Sequence, residues 1–193
     1  VTELQRQHSR RNTFLATAAA VIMGQANGPG QVALASEKDN GLQVVPNVDL
    51  KRYMGSWFEI ARFPNIYQRG LVAVVATYSL QEDGKINVLN TARARRLDGA
   101  IRKTTADAYV VKGSHAAKWK VQFLWPFEAD YWIIDLGKNY EYAVVGQPSR
   151  KNLWILCRKP QMDEELYAEV CERLRHQGYD PDRLKRTPHL KSK

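Results

Sequence analysis

The chain has 193 residues, 44% of them apolar, and carries a formal charge of +9 with a pI near 9.6. That length and apolar share fit one soluble globular domain with a substantial core, and five Trp and nine Tyr suit a packed or ligand-lined interior. The charge does not make a nucleic-acid binder: basic residues are scattered along strands and tails, and no zinc-finger, helix-turn-helix or RNP-like pattern occurs.

Residues 1–35 read as an export signal. Ser9-Arg10-Arg11-Asn12-Thr13 supplies a charged region and Phe14 to Met23 an apolar run too short to span a bilayer, which takes about 20 residues. Cleavage is expected after Ala26 or after Ala35, the latter in the better small-x-small match Ala33-Leu34-Ala35. The paired arginines resemble a twin-arginine signal, with ordinary Sec export as the alternative. No Cys follows either cleavage site. The expected product is therefore exported and soluble, in the periplasm or cell envelope, and not lipid-anchored. Residues 36–46 then read as a linker.

From Trp57 onward β-rich runs recur at 57–63, 71–81, 85–93, 102–112, 117–124, 130–136, 140–146 and 152–158. Turn chemistry separates them: Glu82-Asp83-Gly84-Lys85 is a hairpin turn, Asp98-Gly99 and Gly137-Lys138-Asn139 mark others, and Trp125-Pro126-Phe127 forces a loop. Eight even runs point to an all-β barrel or sandwich, and eight strands is the number that closes around one small ligand. One helix follows over Asp163 to Gly178, acidic at its start and basic at its end, with a single apolar stripe that suits the outside of a sheet. The basic run Arg93-Ala94-Arg95-Arg96 and the stretch Arg183 to Lys193 read first as solvated surface and second as attraction to an anionic membrane face.

Alternation along the strands separates two faces. With Trp57 inward, Glu59, Ala61 and Phe63 share its side, as do Val74, Ala76, Tyr78 and Leu80 in the next run. Ile86/Val88/Asn90, Ala106/Ala108/Val110, Trp119/Val121/Phe123 and Tyr131/Ile133/Asp135 complete the expected interior. Small residues in mid-strand, Ala76, Ala106 and Ala108, leave room for a cavity rather than a filled core. Glu59 and Asp135 are the two acids expected inside. Cys157 and Cys171 allow one disulfide or two buried thiols, and both readings stand. His8, His115, His176 and His189 all lie outside the strand runs, so no Ser-His-Asp or Cys-His set is legible, and metal-ligand spacing is absent.

Five segments in order resemble the bacterial lipocalin and apolipoprotein D branch of the lipocalins: Asn47 to Phe63 including Gly55-Ser56-Trp57, Arg69-Gly70-Leu71, Ala76 to Leu80, Asp83 to Asn90, and Leu153 to Arg158. The resemblance covers residues 47–180. It implies an eight-stranded antiparallel up-and-down barrel with one C-terminal helix packed outside. One end would be closed by Trp57 under the Arg158 guanidinium, both structural. It also implies a non-catalytic carrier or store for a small lipophilic ligand such as a fatty acid or lysophospholipid, without cofactor or metal, tied to envelope lipid maintenance. The ligand contacts it suggests are Phe63, Tyr78, Val88, Asn90, Ala108, Trp119, Phe123, Tyr131 and Ile133, with Asn90, Tyr78 and Tyr131 at a polar head. An enzyme of the same fold, or an interaction module using the basic surface, are the alternatives. Two departures stand out. Gly137-Lys138-Asn139-Tyr140 lacks the Asp usual before that Tyr, and residues 181–193 form a basic tail where relatives have a short final strand.

Overall fold

The computed structural model describes residues 40–190 except Trp125. The export signal, the first four residues of the expected linker (36–39) and the last three residues lie outside that range. A single turn of helix, α1 (Leu50–Tyr53), leads in, capped by Asp49, whose carboxylate accepts from Lys51 N and Arg52 N. Eight strands follow: β1 (Gly55–Arg62), β2 (Leu71–Leu80), β3 (Ile86–Ala94), β4 (Ile101–Val110), β5 (Lys118–Leu124), β6 (Phe127–Leu136), β7 (Tyr142–Gly146) and β8 (Leu153–Cys157). Each pairs antiparallel with the next, and β1 pairs with both β8 and β2, so the sheet closes on itself. The up-and-down barrel expected from the sequence is the fold. Its strand ends alternate between a closed end, at Trp57 and the 81–85 turn, and an open end, at residues 63–70 and 95–100, at the start of β6 and at residues 147–152.

Helix α2 (Glu164–His176) lies outside the barrel. Asp163 caps it through Glu165 N and Leu166 N. At its other end Gly178 takes φ +79°, with Gly178 N donating to Arg175 O and Tyr179 N to Leu174 O, the Schellman stop. The Tyr179 hydroxyl then accepts from Gln147 N and donates to Gln147 O. Only glycine fits beside it at position 146, where a Cβ would sit 2.3 Å from that hydroxyl. This clasp seats Val170 and Leu174 on Ile60, Val144 and Ile155 in an outer core, separate from the inner core of Tyr53, Trp57, Trp119 and Ile133. β7 is buried at every position because one face meets the barrel interior and the other meets the outer core.

Four register shifts interrupt the strand pairing; one falls at the end of β5, between Gln122 and Leu124, and the other three bear on a face-by-face reading. One in β1, between Glu59 and Ala61, returns Ala61 and Phe63 to the outer core. Phe63, expected against the ligand, instead packs on Tyr179 with the Arg183 guanidinium over its ring at 4.4 Å. Another in β6, between Ile133 and Asp135, turns Asp135 outward. There it binds Arg173 Nε at 2.8 Å and accepts from the Tyr142 hydroxyl, so the expected pair of inward acids reduces to Glu59. The third lies in β2 between Val72 and Val75, with Ala73 at φ +48°. Leu80, past the floor, is exposed rather than interior.

The described part of the expected linker is packed: Leu42 is buried in the outer core and Val45 N donates to Ile133 O. The expected tail is packed as well. A 3-10 turn (Pro181–Arg183) leads into β9 (Lys185–Arg186), which pairs with β1 at Ala61 and Arg62. Ala73 N also donates to Pro188 O. Chain end and β1 are thus one structure, and the folded unit runs well past residue 180. Cys157 and Cys171 are both free and buried, and burial pushes the Cys171 thiol pKa up.

Candidate functional site

The closed end is built on the indole of Trp57, which has no solvent exposure and whose Nε1 donates to Tyr53 O. The Arg158 guanidinium lies over the ring at 3.7 Å and donates to Ser56 O, Arg52 O and Tyr53 O. One cation thus covers an aromatic face and collects three carbonyls where α1 ends and β1 begins, so the end is sealed without stranding backbone acceptors. The neighbouring loop that lacks the usual Asp is held in other ways. Asp49 N donates to the Tyr140 hydroxyl, and the Glu141 carboxylate accepts from Asn139 N.

Above this plug the barrel encloses a cavity of about 580 Å³ whose lining reaches the 63–70 and 147–152 connections at the open end. Its wall is mostly aliphatic: Val74, Ala76, Val88, Ala92, Val121 and Leu156 are representative. The floor is tyrosine. Tyr53 and Tyr131 hydroxyls are 2.8 Å apart, Tyr131 donates to Tyr78 at 2.9 Å, and the Tyr131 ring stacks on Trp119. Burial, first of all, raises the pKa of all three tyrosines.

That shift has a consequence at high pH. A phenol neutral in the folded protein but ionised in the unfolded one gives stability that is complete below about pH 10, the unfolded value, and lost as pH rises above it. Urea midpoints measured from pH 8 to pH 11.5 are expected to fall above pH 10, by up to about 1.4 kcal/mol per pH unit for each such tyrosine. Tyr131→Phe should flatten the fall, and at neutral pH should cost about 1–3 kcal/mol by orphaning the Tyr53 hydroxyl. A curve identical to wild type would show that the triad is not the alkaline weak point.

The upper wall carries one buried polar network. Glu59 is 2% exposed; its carboxylate takes an ion pair from Arg62 and hydrogen bonds from Thr187 Oγ1 (2.5 Å) and Gln68 Nε2 (2.7 Å). Gln68 Oε1 accepts from Trp154 Nε1 and Asn65 Nδ2. His189 Nε2 lies 2.8 Å from Glu59 O. The β1–β2 connection and the C-terminal strand are therefore fastened to the same carboxylate, and the buried charge is paired and fully hydrogen-bonded.

Of the residues the sequence singled out for ligand contact, Tyr78, Val88, Asn90, Phe123 and Tyr131 line the cavity. Ala108, Trp119 and Ile133 are instead fully buried in the packed layer beneath the floor. Arg102, Thr104, Asn152 and Trp154 line the cavity and were not anticipated. Arg102 and Thr104 were legible. Both lie at even spacing from Ala106 and Ala108, and they pair with Ala92 and Asn90. Gln68 and Asn65 come from a loop whose placement no periodicity reports.

The family described as a lipocalin-like domain matches residues 48–189. The chain belongs to the lipocalin family. It is 39% identical over 155 residues to temperature-induced lipocalin-1 of Arabidopsis thaliana, covering 76% of this chain and 82% of that protein. It is 40% identical over 141 residues to the outer membrane lipoprotein Blc of Escherichia coli K12, covering 72% and 78%. Mouse apolipoprotein D is 34% identical over 154 residues, covering 75% and 78%. Among solved structures, insecticyanin of the tobacco hornworm Manduca sexta superposes with a TM-score of 0.63 at 18% identity, over 77% of this chain and 85% of that one. At that identity the likeness speaks for the barrel alone. This lipocalin shares its sequence kinship with the bacterial, plant and apolipoprotein D members, the branch its opening motif resembles.

Proposed function

We propose that this lipocalin carries or stores a single-chain lipid anion, a fatty acid or lysophospholipid, without chemical conversion and in the cell envelope. The observation that carries this reading is the roughly 580 Å³ aliphatic cavity, closed at one end and open at the other. Burying about ten methylenes there contributes about 8 kcal/mol at 0.8 each, before ordering costs. The tail points down to the tyrosine floor. Tyr131 is the wrong place for a head: its hydroxyl already bonds those of Tyr53 and Tyr78. Asn90, Thr104 and Arg102 lie along adjacent strands toward the mouth and suit a carboxylate or phosphate, and Arg102 has no ion-pair partner among the described residues. The envelope location is supported by kinship to proteins named as outer membrane lipoproteins.

Native mass spectrometry of the protein purified from its own host, followed by lipid extraction, tests the cargo. A stoichiometric fatty acid or lysophospholipid is the expected result. An empty protein that also refuses a fluorescent fatty acid would end the carrier reading. Arg102→Gln is expected to weaken an anionic fatty acid about tenfold and leave the corresponding fatty alcohol unchanged. Equal loss for both would remove Arg102 as the anion anchor.

A further inference from the structure

We propose that the open rim of the barrel is a docking surface for an anionic lipid bilayer, so that the mouth faces the membrane. Two independent features coincide there. Three large apolar side chains stand exposed at the open end, Ile66 (76%) on the β1–β2 connection and Ile101 (56%) and Phe127 (46%) at the starts of β4 and β6. Around them are cations without acidic partners among the described residues: Arg69, Arg95, Arg102 and Lys103 are all exposed and make no ion pair. The Arg93–Arg96 run, unexplained by the cavity, folds into this rim. Arg93 bonds Gly99 O, Arg96 pairs with Asp98, and Arg95 is left over. Its backbone N donates to Gly70 O, which joins two neighbouring connections into one basic edge beside Arg69.

The opposite end differs in kind. Its turns mix signs, as in the Lys85–Asp83 pair, and its large exposed side chains, Leu80 and Tyr109, include only one that is purely apolar, the Tyr109 hydroxyl being hydrogen-bonded to Glu128. Apolar tips within a cationic ring match a bilayer interface, where apolar groups enter the headgroup layer and basic residues meet anionic lipid. Arg102 and Lys103 belong to both the rim and the cavity lining, so a lipid would pass from leaflet to cavity without crossing water. The surface stands on exposure and charge, whatever fills the cavity.

The test uses the processed protein from its host with vesicles of phosphatidylcholine alone or mixed with phosphatidylglycerol. Wild type is expected to co-sediment at least about tenfold more strongly with the anionic vesicles. The triple variant Ile66→Ser, Ile101→Ser, Phe127→Ser should lose about tenfold or more of that binding, and Arg69→Glu with Arg95→Glu should abolish the anionic preference. Leu80→Ser at the closed end should change nothing. All these sites are exposed, and fatty-acid affinity in solution should stay at the wild-type value, which separates this surface from the carrier reading. Vesicle binding that ignores the rim variants, or is absent while fatty acid binds normally, overturns the proposal. A dimer that the triple variant turns into a monomer in sedimentation velocity also overturns it, since the tips would then face a second copy.

Discussion

Trp57→Ala is expected to lower unfolding stability by about 3–5 kcal/mol. The indole is fully buried between Tyr53, at 4.9 Å between ring centroids, and the Arg158 guanidinium. Nothing nearby can fill the space, because α1 and the start of β1 are fixed by Asp49 and by the register Trp57–Ala76. Loss of the ring also strips Arg158 of its aromatic face. Arg158→Lys should recover little of what Arg158→Ala loses, since one ammonium cannot span the carbonyls of Ser56, Arg52 and Tyr53 with the guanidinium's fixed fork. Urea denaturation of the three variants measures this. If Trp57→Ala costs under 1 kcal/mol, the closed end is not held by the plug.

Val88→Trp combined with Ala92→Trp is expected to reduce fatty-acid affinity by about 100-fold or more while leaving the fold intact. Both residues face the cavity from β3, and added indoles would fill space rather than displace a core. If they deny the ligand half of a ten-methylene tail, about 4 kcal/mol is lost, and 1.4 kcal/mol is tenfold. Relaxation of the wall returns part of it. Titration with a fluorescent fatty acid, beside a thermal melt, reads both quantities. An unchanged affinity in a well-folded variant would place the lipid outside the barrel and leave the rim as the more informative surface.

The buried Glu59 network shows why such an interior tolerates a charge. Arg62 neutralises it, and Thr187 and Gln68 fill its remaining acceptor sites, so the cost of desolvation is met inside the wall. The network also makes the chain end a structural member: Thr187 and His189 reach β1 from 128 and 130 residues away.

The sequence by itself determined the strand count, the outer helix and the Trp57–Arg158 plug. Period-two alternation, turn chemistry and caps are local properties, and the ordered motifs supplied the closure. It also put Tyr78, Val88, Asn90, Phe123 and Tyr131 on the right face, because β2, β3 and the first part of β6 keep their alternation at those positions and the shift in β5 comes only at its end, between Gln122 and Leu124. Tertiary structure decided the rest. Bulges at Ile60 and Ile134 reversed Phe63 and Asp135, since one extra residue flips every side chain beyond it and no residue type there announces the insertion. Depth was equally hidden: Trp119, Ala108 and Ile133 face inward yet lie below the floor, because strand tilt and the height of the plug set where packing stops and space begins. Charge counting gave +9 and no direction, and only the fold gathered Arg69, Arg95, Arg102 and Lys103 with three apolar tips at one end.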